Sequence, residues 1–170
     1  MKILFLQAGG TIDKDYPMTD TNHGYNFEIS TPAYERILQR VSPSFKFVMK
    51  SVIQKDSTDM NDADRELLKK YCCESDIGKI IITHGTDTML QTAKAVSEIT
   101  NKAIVLTGAL KPERFKDSDA DFNVGAAVGA LSILDSGTYI AMGGRVMPWT
   151  GLHSTIVKDN SSKSRGEIEY

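Results

Sequence analysis

The chain has 170 residues, 41% of them hydrophobic and 25% charged, proportions that fit one soluble globular domain. A chain of this length hides roughly 70% of its unfolded surface, enough for a core that needs no metal or disulfide staple. Twenty Lys and Arg against 22 Asp and Glu leave a net charge of -2, which offers no electrostatic footprint for nucleic acid or for an anionic membrane.

The first apolar run, Lys2–Gln7, is too short for a signal-peptide core and lacks a small-residue cleavage site, so it reads as a strand. A helix is expected over about 31–41, a strand over Phe45–Ile53, and a second helix over 61–74 with Asn61 or Asp62 as its N-cap. On that helix Asp62, Asp64, Arg65, Glu66, Lys69 and Lys70 form the wet face, with Leu67, Leu68 and Tyr71 opposite. The strand Lys79–Thr83 is followed by a helix over 87–100, and the strand Ala103–Thr107 by a helix over 119–134 that Ser118 would cap. That last helix places Val124, Ala127, Val128, Leu131 and Leu134 on one stripe, and Gly125 and Gly129 would let it approach the sheet. A strand over Thr138–Met142 completes the series. Ile80-Ile81-Ile82 and Ile104-Val105-Leu106 show no apolar/polar alternation, as expected of parallel strands covered on both faces. Strands alternating with helices indicate an α/β fold with a largely parallel sheet. Cys72 and Cys73 are neighbours and offer no loop-closing disulfide, so reduced thiols in a cytoplasmic protein are expected. The three histidines are scattered and suggest neither metal nor cofactor.

Ligands of open α/β sheets bind beyond the carboxyl ends of the strands. Four short polar segments fall there: Ala8-Gly9-Gly10-Thr11-Ile12, Asp56-Ser57-Thr58-Asp59-Met60, His84-Gly85-Thr86-Asp87-Thr88 and Gly108-Ala109-Leu110-Lys111-Pro112. Taken alone, Gly9-Gly10 is a tight turn, Thr86-Asp87 a helix cap, and His84 a turn or supporting residue. The GxGxxG and P-loop patterns are missing, which argues against a nucleotide site. A hydroxyl directly after two glycines stands where flexible backbone lets a ligand come close, and a helix cap is compatible with attracting a substrate carboxylate.

These segments, together with Thr83-His84-Gly85-Thr86-Asp87-Thr88-Met89, Thr107-Gly108 and Ser118-Asp119, resemble the asparaginase–glutaminase family of bacterial amidohydrolases. The resemblance covers the family's amino-terminal, catalytic-side domain. It implies a single Rossmann-like or flavodoxin-like three-layer domain over residues 1–170 that hydrolyses L-asparagine to L-aspartate and ammonia through a threonine nucleophile and an acyl-enzyme. Thr11 matches the nucleophile, Thr86 the second catalytic threonine, Asp87 its carboxylate partner, and Lys158 the lysine linked to both. Ser57 matches a residue that holds the substrate α-carboxylate, while Asp87 would also meet the α-amino group. Gly10, Thr58 and Ala109 complete the expected substrate contacts. The family's tyrosine near the nucleophile corresponds to Tyr16 or Tyr25, with Tyr16 favoured, inside a lid over about 12–29.

Ala8 and Thr58 depart from the residues usual at their positions, and the chain ends at Tyr170 without the family's carboxyl-terminal domain. Lys158 lies in a polar stretch that would otherwise read as a solvated tail, with Met147, Trp149 and Leu152 before it as packing residues. The expected partner is a small amino-acid amide, without cofactor, nucleic acid or membrane, and the expected assembly is a homodimer or larger. A second reading, a weakly catalytic binding or regulatory module, follows from the missing domain. The proton acceptor stays open between Tyr16 and the Thr86–Lys158–Asp87 set. A lysine base would need its pKa lowered from ~10.4 to about 7–8, and Asp87 opposes that. Backbone N–H groups at the Gly10–Thr11 turn and near Thr86 are candidates for the oxyanion site.

Overall fold

Lys2–Gly9 (β1), Lys46–Lys55 (β4), Lys79–Thr83 (β5), Ala103–Thr107 (β6) and Gly137–Met142 (β7) pair in parallel in a computed structural model that describes residues 1–16 and 27–151. The short strands Lys14–Asp15 (β2) and Glu28–Ile29 (β3) form a separate antiparallel ribbon, and Arg145–Pro148 (β8) pairs antiparallel with β7. The helices are Ala33–Val41 (α1), Asp62–Glu74 (α2), Met89–Val96 (α3) and Ala120–Leu131 (α4).

The main sheet runs β4-β1-β5-β6-β7-β8. Counting only its parallel strands, the order is the flavodoxin-like 2-1-3-4-5, which reverses direction between β1 and β5. Alternate side chains of the apolar strands enter opposite cores. Leu4, Leu6, Ile80, Ile82, Ile104 and Leu106 pack with Leu68 of α2 and Ala93 of α3. Ile3, Phe5, Ile81 and Val105 pack with Ile37 of α1 and Val124 of α4. The result is the expected three-layer α/β domain. β4 lies at the edge, where Phe47, Val48 and Met49 are partly exposed and Lys46, Lys50 and Lys55 keep the strand charged.

Several local expectations change. Asn61 caps α2 through a reciprocal box with Asp64. The N-cap position of α3 is Thr88, so Thr86 and Asp87 lie ahead of the helix and are not its caps. Asp119, not Ser118, occupies the N-cap of α4, although Ser118 Oγ accepts from Ala120 N at 3.1 Å. Gly125 and Gly129 face open space instead of the sheet, because Val124, Ala127 and Leu131 occupy the buried stripe. On α2, Arg65 is buried and donates to Gln91 Oε1 at 2.8 Å, while Leu67 is partly exposed. Strand β8 follows the two-residue loop Gly143-Gly144, whose φ values of 58° and 77° suit a tight hairpin.

Candidate active site

The ends of β1 and β5 flank the point where strand order reverses, the usual ligand position in such a sheet. Four strand-end loops meet there through close approaches that leave no room for a Cβ at the glycines. A Cβ on Gly9 would strike Lys55 at the end of β4, and one on Gly10 would strike Gly85 after β5. A Cβ on Gly85 would lie 2.6 Å from Ser57 Oγ, and one on Gly108 would overlap His84 O. Gly10 has φ 87° and ψ -176°, a backbone region open essentially to glycine alone. These contacts bring the segments bearing Thr11, Ser57 and Thr86 together.

Thr11 begins a 3-10 turn that ends at Asp13, closed by Asp13 N donating to Gly10 O at 3.1 Å. The Gly10 N–H donates to Lys55 O at 3.0 Å, which commits that donor of the expected oxyanion site to the loop itself. Thr11 is half-buried and Gly10 buried. Ser57 is 1% exposed, and its Oγ has no hydrogen-bond partner among the described residues. A buried hydroxyl without a protein partner costs about 1–3 kcal/mol, and Arg36 Nη2, Arg65 Nε and Thr138 Oγ1 share that condition. Thr88 Oγ1 donates to Ser57 O at 2.7 Å and so ties the second loop to the third. Thr58 is exposed and its hydroxyl turns toward Asp56 at 3.4 Å. Lys14 pairs with Asp56 at 2.8 Å, and that ammonium holds the Asp56 carboxyl below its usual range.

Thr86 is half-buried and Asp87 exposed on the segment that leads into α3. His84, beneath them, is fully buried, and burial pushes its pKa down to about 4. Its Nδ1 lies 2.7 Å from Gly85 O, which can only accept, so Nδ1 carries the proton. Nε2 then accepts from Thr92 Oγ1 at 2.7 Å. His84 is therefore a neutral brace for the third loop, as its sequence position suggested. Ala109 is buried within the α1–α4 core. The loop around it is held by Asp119, whose Oδ1 accepts from Leu110 N at 2.9 Å, and by Asn123, which donates to Gly108 O at 3.0 Å.

Tyr16 is 57% exposed and its ring packs against Phe27, with centroids 4.9 Å apart. Lys14 and Asp15 pair with Ile29 and Glu28, so the expected lid segment is closed at its base by a two-residue ribbon. Arg114 Nε donates to Asp15 Oδ2 at 2.6 Å and fixes one side of that base. Tyr25, Lys158 and Leu152 lie outside the described residues. Burial pushes the Cys72 thiol up to about 12, which leaves it protonated and unreactive. Among the described residues, no helix is long and apolar enough to cross a membrane.

A family model described as the N-terminal asparaginase domain matches residues 2–162. The chain belongs to the asparaginase family. It is 30% identical over 156 residues to an L-asparaginase of Thermococcus kodakarensis, covering 86% of this chain and 45% of that protein. It is 31% identical over 135 residues to L-asparaginase 2 of Escherichia coli, covering 74% of this chain and 37% of the relative. The solved structure of the thermostable Thermococcus kodakarensis L-asparaginase superposes with a TM-score of 0.74 at 28% identity, over 88% of this chain and 46% of that one. The chain thus spans less than half the length of these asparaginases.

Sequence reasoning had not assigned Gly85, Gly108, Asp13 or Asn123 to the site. The glycines were legible as single residues after strand ends, whereas Asp13, followed by Lys14 and Asp15, carries no mark of its own in the sequence.

Proposed function

We propose that this chain hydrolyses the side-chain amide of L-asparagine to L-aspartate and ammonia. The observation that carries this reading is the buried, unpartnered Ser57 hydroxyl, held against Gly85 where the Thr11 and Thr86 loops meet. In this reading Ser57 Oγ donates to the substrate α-carboxylate, the exposed Asp87 carboxylate receives the α-amino group, and Gly10 and Thr58 line the remaining space, while the Ala109 side chain stays in the core and supports the loop from behind. A donor prepared for an anion, beside a half-buried threonine on a fixed turn, suits an amino-acid amide better than a phosphate or a hydrophobic ligand.

Thr11 Oγ attacks the amide carbon while its proton passes to a neighbouring base. The C–N bond then breaks, and ammonia leaves with a proton. Water attacks the resulting ester, releasing aspartate and restoring the threonine hydroxyl. Tyr16, Thr86, Asp87 and Lys158 are assigned to moving these protons, on the strength of their match to the family pattern. The chemistry asks for no metal or cofactor. Assembly of two or more copies and a cytoplasmic location belong to the same proposal; sedimentation of the purified chain tests the first.

Ammonia release from L-asparagine and L-glutamine by the parent chain, beside Thr86→Val, tests the reading. Release by the parent and its loss in the variant are expected. No release by the parent, with aspartate still bound, would make the chain a binding module.

A further inference from the structure

Asp13 stands two residues beyond Thr11, is fully buried, and touches three separate parts of the fold. Its Oδ1 accepts from Ala33 N, the first residue of α1, at 2.7 Å. Its Oδ2 lies 3.3 Å from Thr83 Oγ1 at the end of β5, three residues before Thr86. Its backbone oxygen accepts from Ser30 N at 3.1 Å, and its backbone N–H closes the Thr11 turn. One carboxyl group therefore joins the turn carrying one threonine to the strand leading to the other. It also joins both to the return of the segment that leaves after Thr11.

We propose that Asp13 is a positioning residue that holds the Thr11 and Thr86 loops in register, and that it does so as a neutral acid. The inference rests on the asparaginase reading for its catalytic consequence but not for the protonation state. The surroundings supply the reason for neutrality. β1 presents Gln7, whose amide Nε2 donates to Ser30 O at 2.8 Å, and β5 presents Thr83. From α1 come Tyr34, whose hydroxyl donates to Lys50 O, and Arg36, with Glu35 between them. Arg36 is engaged by Glu113, by Thr31 O and more distantly by Asp15. Among the described residues Asp13 forms no ion pair, and Arg36, whose charge acts on it, is bound to Glu113, so a charge on Asp13 would be buried with little compensation. Burial accordingly raises the Asp13 pKa from 3.8 to about 7, against the pull of Ala33 N–H, Gln7, Thr83 and Arg36.

The Thr83 hydroxyl donates to Asp13 Oδ2 and the Ala33 N–H to Oδ1, and with the proton present the carboxyl keeps both contacts without a buried charge. Once the proton is lost, the charge is relieved only by letting water in or moving the turn, and either displaces Thr11. Asp13→Asn keeps the shape without the titration: its carbonyl accepts from Ala33 N–H, and its amide meets Thr83 once that hydroxyl turns to accept. Asp13→Ala removes both fastenings.

The experiment follows ammonia release and thermal unfolding of the full chain, Asp13→Asn and Asp13→Ala from pH 4 to pH 9. Asp13→Ala is expected to lose at least about tenfold in kcat, more than it changes KM, and Asp13→Asn to recover most of that loss. The parent should show an alkaline decline in kcat/KM, with a midpoint at or above about pH 7, that Asp13→Asn lacks. The Tm of Asp13→Asn should gain on the parent between about pH 4 and pH 7 and then run parallel. A Tm gap independent of pH would overturn the neutral acid, and identical alkaline limbs would overturn the positioning role. If no protein releases ammonia at any pH, the asparaginase reading fails on its own. A widening Tm gap would then still support the neutral acid, and a flat one would still overturn it.

Discussion

Gly10→Ala is the sharpest test of the loop interlock. At Gly10 the backbone sits at φ 87° and ψ -176°, a conformation that costs an alanine about 1–3 kcal/mol. The new methyl would overlap the Gly85 backbone and lie 2.8 Å from the His84 carbonyl carbon, whereas ordinary contact begins at 3.4 Å. Forcing an extra methyl into such a space costs about 1–3 kcal/mol more. A total near 4 kcal/mol follows, a large part of the ~5–15 kcal/mol that stabilises a domain. At a urea m-value of about 2 kcal/mol/M, the unfolding midpoint falls by about 2 M. The loops must also part by about 1 Å, a displacement able to lower turnover ~100-fold, so the molecules that remain folded should be slow. Urea unfolding followed by circular dichroism, and ammonia release measured well below the transition, check both numbers. Gly125→Ala is the control: its side chain would enter open space on α4, and it should gain about 0.5–1 kcal/mol with unchanged turnover. A Gly10→Ala protein with the parent's midpoint and the parent's rate would refute the interlock.

Ser57→Ala should separate ligand binding from stability. Removing a buried hydroxyl that has no partner leaves stability unchanged or raised by up to about 1 kcal/mol, while KM for L-asparagine rises about 10–100-fold with the loss of a hydrogen bond to a charged group. A stability loss with unchanged KM would make Ser57 a packing residue. His84 sets an acid-side dependence. Its folded pKa of about 4 lies below its ordinary 6.5, so the stability it permits is complete above pH 6.5 and is lost as pH falls through 4. That loss amounts to about 3 kcal/mol. Comparison with His84→Gln over that window should show the parent losing ground as acid is added, and parallel curves would contradict a buried neutral imidazole. The slope is opposite in sign to that of Asp13, so the two groups partly offset each other between pH 4 and 6.5.

The parallel core was readable because its strands carry their own signal. Ile80-Ile81-Ile82 and Ile104-Val105-Leu106 are apolar on both faces and became the strands buried under helices on both sides, with β5 and β6 bounded as expected. Strand β8 was missed because Arg145–Pro148 is short and partly exposed; its clearest mark was the Gly143-Gly144 pair, which only a hairpin explains well. Local capping rules correctly placed α2, where Asn61 and Asp64 act within four residues. They failed at α3, because the Thr88 hydroxyl is drawn away to Ser57 O and the helix starts later than Thr86-Asp87 suggested. At the site, the order of the polar segments was legible because each follows a strand. The Gly10–Gly85, Gly85–Ser57 and Gly108–His84 approaches were not, since they join loops far apart in sequence and depend on how the strands align. Asp13 escaped notice for the same reason: its burial comes from α1 and β5, not from its neighbours in the chain.

The central claim is that Thr11 attacks an amino-acid amide held by these loops. Its most direct test is the yield of ammonia and aspartate from L-asparagine given to the purified parent chain and to Thr11→Ala at equal concentration. Equimolar ammonia and aspartate from the parent, with none from Thr11→Ala while that variant still binds aspartate, is the predicted result. Equal release by the two proteins, or none from the parent at millimolar substrate, would contradict it.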